Sequence, residues 1–109
     1  MTPSKLYLNP RPTLADLQEY IKMMVEERGF EGESVEQTFL LFMEECGEMA
    51  KAARKSRGFR IGQHSQQFEL DSEIADVFIH LLKICHHFDI DLEQAFRDKE
   101  EVNKKRNWE

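Results

Sequence analysis

The sequence predicts an all-α chain of four helices, and three observations carry that prediction. Apolar residues recur at every third or fourth position over four separate stretches. Capping residues stand where these stretches begin, and glycine or an Asp-containing turn stands where most of them end. No stretch shows a convincing strand pattern, and there is no internal repeat or low-complexity tract. A chain of 109 residues fits one domain. A core this small is often helped by a second copy of the chain. The expected architecture is a four-helix, bundle-forming unit completed by oligomerisation, with an extended arm over residues 1–13 and one domain over residues 14–109.

The arm holds all three prolines, Pro3, Pro10 and Pro12. Thr13 is placed to cap the first helix, with Asp16 in its first turn. Leu14, Leu17, Ile21, Met24 and Val25 form its apolar stripe, and Gly29 marks its end. An acidic connector, Phe30 to Glu33, follows. Ser34 and Gln37 have capping-box spacing at the start of the second helix. Phe39, Leu40, Phe42, Met43, Cys46, Met49, Ala50 and Ala53 give that helix a broad apolar stripe. It ends in a basic segment, Lys51, Arg54, Lys55 and Arg57, suited to the negative end of the helix dipole. Gly58 stops it, and residues 58–68 read as a loop. The third helix is expected from about Glu69 to Phe88, with Leu70, Ile74, Val77, Phe78, Leu81, Ile84 and Cys85 as its core face. Asp89 begins a tight turn, and Asp91 caps a fourth helix from Leu92 to about Arg106. Trp108 lies near the terminus, as an interface residue or a frayed one.

The net charge of −6 excludes non-specific nucleic-acid binding, which needs a basic surface. Cys46 and Cys85 have neither zinc-ligand nor disulfide-framework spacing and read as buried free thiols of a reducing compartment. No apolar run approaches a membrane span, and residues 1–13 lack the apolar centre of a signal peptide. The expected location is cytoplasmic.

The second helix carries Glu44, Glu45 and Glu48, which fall within an arc of about 100°. The third carries Glu73 and Asp76, three apart on one face. Packing these helices side by side makes at least four carboxylates converge. Such groups repel, and a bound cation is one remedy. Hard oxygen ligands suit Mg²⁺ or Mn²⁺. Gly47, inside the same helix, suggests close approach by a ligand or a neighbouring helix.

At these residues the chain resembles the MazG-like, all-α nucleoside triphosphate pyrophosphohydrolase superfamily. The pattern EExxE is Glu44, Glu45 and Glu48, and ExxD is Glu73 and Asp76, separated by residues 49–72. Leu41 through Ala52 and Glu73 through Val77 resemble the superfamily's second and third helices. Lys99, Asn103 and Arg106 resemble its closing K-x-x-x-N-x-x-R helix. The likeness covers roughly residues 14–107.

The resemblance implies hydrolysis of (deoxy)nucleoside triphosphates to monophosphate and pyrophosphate, in a nucleotide-pool house-cleaning role, by a homodimer or homotetramer. Glu45, Glu48, Glu73 and Asp76 would hold Mg²⁺. Glu44 would position or deprotonate the attacking water, or hold a second ion. Lys99, Asn103 and Arg106 lie on one narrow stripe and suit phosphate contacts. His80, one turn beyond Asp76, is placed to face the nucleotide. Phe39, Phe42 and Phe78 suit stacking on a base or, as the preferred reading, core packing. Met23, Met24, Phe39 or Phe42 are expected between chains. The alternatives are a related pyrophosphohydrolase of narrower range, acting on dUTP/dCTP or phosphoribosyl-ATP, and a non-catalytic helical interaction module whose acids are surface charge.

Overall fold

The computed structural model describes residues 3–58 and 63–106. It contains α1 (Leu14–Glu27), α2 (Val35–Gly58), α3 (Gln63–His87) and α4 (Leu92–Lys104), and no strand among the described residues. The all-α expectation therefore holds. No helix among these residues is long and apolar enough to cross a membrane. Trp108 and the α2–α3 connection at residues 59–62 lie outside the described residues.

The helix starts follow from local hydrogen bonds. Thr13 and Asp16 exchange a full capping box: the Asp16 N–H donates to Thr13 Oγ1 at 3.1 Å, and the Thr13 N–H to Asp16 Oδ2 at 3.0 Å. Ser34 and Gln37 do the same for α2, at 2.9 and 3.1 Å. At α4, the Gln94 N–H donates to Asp91 Oδ1. Two helix ends share one solution. The Phe30 N–H reaches back to the Val25 carbonyl across Gly29, and the Ile90 N–H to the Cys85 carbonyl across Asp89. Both bridging residues have positive φ, 74° at Gly29 and 52° at Asp89. Glycine adopts that conformation without strain. Aspartate is among the residues that tolerate it.

One boundary differs from expectation. α3 begins at Gln63, not near Glu69. Residues 63–68 carry little apolar pattern, so periodicity gives no signal there. Beyond Gly62 they contain no glycine or proline, and glutamine is a good helix former.

The chain packs as a single layer in the order α2, α3, α1, α4. Its core lies between α1 and α3, where Ile21, Met24 and Val25 meet Leu82. Leu6 of the arm and Leu92 at the start of α4 pack against this cluster. The arm is held by Glu27: Ser4 Oγ donates to Oε2 at 2.8 Å and the Lys5 N–H to Oε1 at 2.7 Å. The start of α4 is held by Gln18, which donates to the Ile90 carbonyl at 2.7 Å and accepts from the Leu92 N–H at 3.0 Å.

The expected core face of α3 is only partly buried. Of that face Ile84 and Cys85 are buried, but Ile74 is 48% exposed and Phe78 36%, while Leu82, which the expected face left out, is buried. α3 has two apolar stripes, and α1 covers the one containing Ile79 and Leu82. Phe39, Leu40 and Met43 of α2 are exposed as well, so Phe39 and Phe78 are not core residues within one chain. Met24 is 2% exposed in the chain's own core and is not available to another chain. Gly47 likewise differs: nothing lies within 4 Å of where its Cβ would sit. The radius of gyration is 16.8 Å, against about 13 Å for a compact chain of this length.

A polar network pins the α1–α2 connector and the start of α2 to the end of α3. Lys83, 5% exposed, pairs with Glu33 at 2.9 Å and lies 4.8 Å from the centre of the Phe30 ring. Thr38, fully buried, directs its hydroxyl proton to Glu33 Oε1 at 2.7 Å, with the Ser34 carbonyl at 3.0 Å. His87 Nε2 is 2.8 Å from the same hydroxyl oxygen. With the hydroxyl proton committed, His87 Nε2 must carry a hydrogen and donate it. Burial would raise the Glu33 pKa, but the bonds from Lys83 and Thr38 outweigh it and hold the carboxyl below its ordinary value. Replacing Thr38 by valine leaves the His87 donor without its partner. Thr38→Val is expected to lower stability by about 1–3 kcal/mol, read from urea unfolding. An unchanged midpoint would show that the network contributes nothing to stability.

Candidate metal centre

α2 and α3 run antiparallel. Lys55 meets Glu69 at 3.8 Å at one end of the pair, and Thr38 meets His87 at the other. Between these clamps Glu45 faces Glu73 and Asp76. One carboxylate oxygen from each lies within 4.8 Å of the other two, and all three residues are half-buried. Their placement follows from helix spacing: Glu73 and Asp76 share the face of α3 that also carries Glu69 and His80, and Glu45 lies on the α3-facing side of α2 with Ala52, which is buried.

The electrostatics are unfavourable as they stand. Glu73 Oε2 is inaccessible to solvent and has no hydrogen-bond partner. Burial, the close approach of Glu45, and the charges of Glu45, Asp76 and Glu48 push the Glu73 carboxyl above its ordinary pKa. A buried, unsatisfied carboxylate oxygen among like charges is costly. A hard divalent cation would relieve both burdens, because it accepts oxygen ligands and cancels the repulsion. The donor set is all carboxylate and remains partly open, so water or phosphate oxygens could complete an octahedron. The residues fit Mg²⁺ or Mn²⁺.

The structure does not bring every expected residue into this group. Glu48 is exposed and lies outside the triad of close oxygens, although its charge is felt at Glu73. Glu44 is exposed and also outside it. His80 is half-buried, with Nδ1 2.8 Å from the Asp76 carbonyl oxygen. A carbonyl only accepts, so Nδ1 carries a hydrogen and donates it, which fixes the orientation of the ring. Lys99 and Asn103 ride on α4, whose main packing partner is α1; the helix ends at Lys104, so Arg106, expected on the same helical stripe, lies two residues beyond it. Within one chain, α4 packs mainly on α1 and not across the carboxylates, although Leu92 at its start touches the cluster that includes Leu82 of α3.

Sequence reading missed the Lys83–Glu33–Thr38–His87 network that clamps one end of the pair. Its signal was a lysine inside the apolar run Leu81, Leu82, Ile84 and Cys85. A buried lysine requires a counter-charge.

Fold and site together define an all-α protein with an acidic centre between two long antiparallel helices. The sequence model of the MazG nucleotide pyrophosphohydrolase domain matches residues 33–107, from the connector before α2 to beyond the end of α4. The chain belongs to this family. The match leaves out α1, which nonetheless supplies half of the packed core. No curated protein matches the chain.

The raised Glu73 pKa has a testable consequence. The folded chain keeps a proton that the unfolded chain has already released. Folded stability of the metal-free protein therefore falls as pH rises from the ordinary carboxylate range through the raised value. Mg²⁺ is expected to raise the Tm of the parent, and Glu73→Gln is expected to flatten the fall with pH and to abolish that rise. Melts across pH, with EDTA or with Mg²⁺, check both. A variant still stabilised by Mg²⁺ would remove Glu73 from the centre.

Proposed function

We propose that the protein is a Mg²⁺-dependent (deoxy)nucleoside triphosphate pyrophosphohydrolase with a nucleotide-pool house-cleaning role. Family membership supports nucleotide pyrophosphohydrolysis in general. The observation that carries the metal dependence is the buried, unpartnered Glu73 oxygen among converging carboxylates.

In this reading Glu45, Glu73 and Asp76 hold the ion, and Glu48, one turn along α2, joins them directly or through water. The ion, when bound, screens the phosphate oxygens and acidifies water. Glu44 orients the attacking water and takes its proton. The water oxygen bonds to the α phosphorus, the bond to the α–β bridging oxygen breaks, and pyrophosphate leaves with that electron pair. His80 Nε2 accepts a hydrogen bond from the nucleoside. Lys99, Asn103 and Arg106 contact phosphate oxygens in an assembly that lays α4 of one chain over α2 and α3 of another.

The proposed assembly is at least a homodimer. Ile74, Phe78 and Leu81 fall within about 60° of arc on α3, turned away from Glu73 and Asp76, and Phe88 follows just past the helix end. Phe39 of α2 packs edge-to-face on Phe88, at 6.4 Å between centroids, and so extends the same apolar surface. A second copy covering it leaves the acids open. Phe42, half-buried on α2, and exposed Met23 are further candidates for burial between chains.

The function is tested with Mg²⁺ and a panel of normal and modified nucleotides. Pyrophosphate and monophosphate are the expected first products, and Glu48→Gln should lower turnover by more than about a hundredfold while the helical content is unchanged. A nucleoside diphosphate as first product would overturn the reaction class, and absence of any turnover would leave the interaction module as the better reading. Phe78→Glu is expected to reduce the mass measured by light scattering; a parent already monomeric at micromolar concentration would overturn the assembly.

A further inference from the structure

The carboxylate centre attracts a cation and repels a polyanion, and the whole chain carries a net charge of −6. A triphosphate therefore needs positive charge close to the acids. The cations on α2 and α3 differ in how far they are committed. Lys83 is buried against Glu33 at one end of the pair. Lys55 pairs with Glu69 at the other. Arg54 is engaged as well. Arg57 projects from the side of α2 opposite Glu44. Lys51 is exposed, and among the described residues it makes no ion pair or hydrogen bond.

Its position is specific. Glu44, Glu48, Lys51 and Lys55 fall at i, i+4, i+7 and i+11, a single stripe about 60° wide. Lys51 stands one turn beyond Glu48, a rise of about 4.5 Å along the axis. The Lys55–Glu69 pair shows that this part of the stripe borders the start of α3, on the same groove that Glu73 and Asp76 enter from α3. In the other direction along the groove lies His80, and beyond it a network whose only lysine is already neutralised. Uncommitted positive charge is therefore found on one side of the acids, and on the other an imidazole held in place by the Asp76 carbonyl.

Building on the pyrophosphohydrolase reading, we propose that Lys51 is the cation that receives the departing pyrophosphate. The substrate then lies along the α2–α3 groove with its phosphate tail toward the C-terminal end of α2 and its nucleoside toward His80. When the bond between the α phosphorus and the bridging oxygen breaks, the electron pair stays on the pyrophosphate. The Lys51 ammonium offsets that growing charge without a proton transfer. A lysine is suited to this task because its ammonium is a compact charge on a flexible stem.

The test compares the parent protein with Lys51→Gln and Lys51→Arg, with Mg²⁺ and the best nucleotide of the panel. Lys51→Gln should lower kcat/KM by about ten- to a hundredfold, and Lys51→Arg should recover most of it. The distinguishing readout is inhibition by each product. Lys51→Gln should weaken inhibition by added inorganic pyrophosphate by about tenfold or more and leave inhibition by the nucleoside monophosphate unchanged. Weakened monophosphate inhibition with normal pyrophosphate inhibition would overturn the orientation. Parent-like kinetics, or a loss not recovered by arginine, would overturn the role of Lys51. A parent that turns over no nucleotide overturns the function reading instead. Calorimetric titration with Mg²⁺ and inorganic pyrophosphate then judges Lys51 separately, since unchanged binding by Lys51→Gln refutes it and weakened binding upholds it.

Discussion

Three carboxylates from two helices lie closer together than like charges tolerate without compensation, and much of the structure serves to hold them there. Repulsion tends to drive α2 and α3 apart. The pair resists because it is fastened on both sides of the acids. Toward the start of α3, Lys55 meets Glu69 across the helices. That pair is partly exposed and contributes little energy, though it helps define the register. Toward the start of α2, the Lys83–Glu33–Thr38–His87 network joins two buried side chains, Lys83 and Thr38, to two half-buried ones. Removing one member of such a network leaves another unsatisfied, so it resists rearrangement more strongly than its individual bonds suggest. The acids thus sit on rigid elements, which suits a site that must present ligands in a set geometry.

The same arrangement explains the uneven distribution of apolar surface. α3 occupies the middle of the layer, and its residues divide among three duties. One side meets α1 through Ile79 and Leu82, one meets α2 through Glu73 and Asp76, and one presents Ile74, Phe78 and Phe88 outward. Glu45, Glu73 and Asp76 fill part of the α2–α3 contact with charge instead of apolar surface. The chain's own core is correspondingly thin, and the arm and the α3–α4 turn are held by side-chain hydrogen bonds from Glu27 and Gln18.

Much of this was legible in the amino-acid sequence, for definite reasons. Helix starts are local events: Thr13 with Asp16, Ser34 with Gln37, and Asp91 with Gln94 each need only a few consecutive residues. So are the stops at Gly29 and Asp89, where positive φ ends the helix. The shared face of Glu73 and Asp76 is fixed by a spacing of three on any α-helix. The start of α3 at Gln63 was not legible, because a helix turn without an apolar stripe has no periodic signal.

What the sequence alone determined is therefore the set of helices, their faces and the two acidic motifs each on its own helix, since each depends on contacts within a turn or two. The tertiary structure decided which faces are used. It turned Phe39 and Phe78 outward and Met24 inward, left Gly47 facing open space, carried α4 with Lys99 and Asn103 onto α1, and ended that helix before Arg106. It also selected Glu45, Glu73 and Asp76 as the close triad and set Glu44 and Glu48 at its margin. Helical periodicity assigns a direction around one axis, but the rotation of one helix against another is set by packing between residues far apart in the chain, as Thr38 against His87 and Glu45 against Glu73 show.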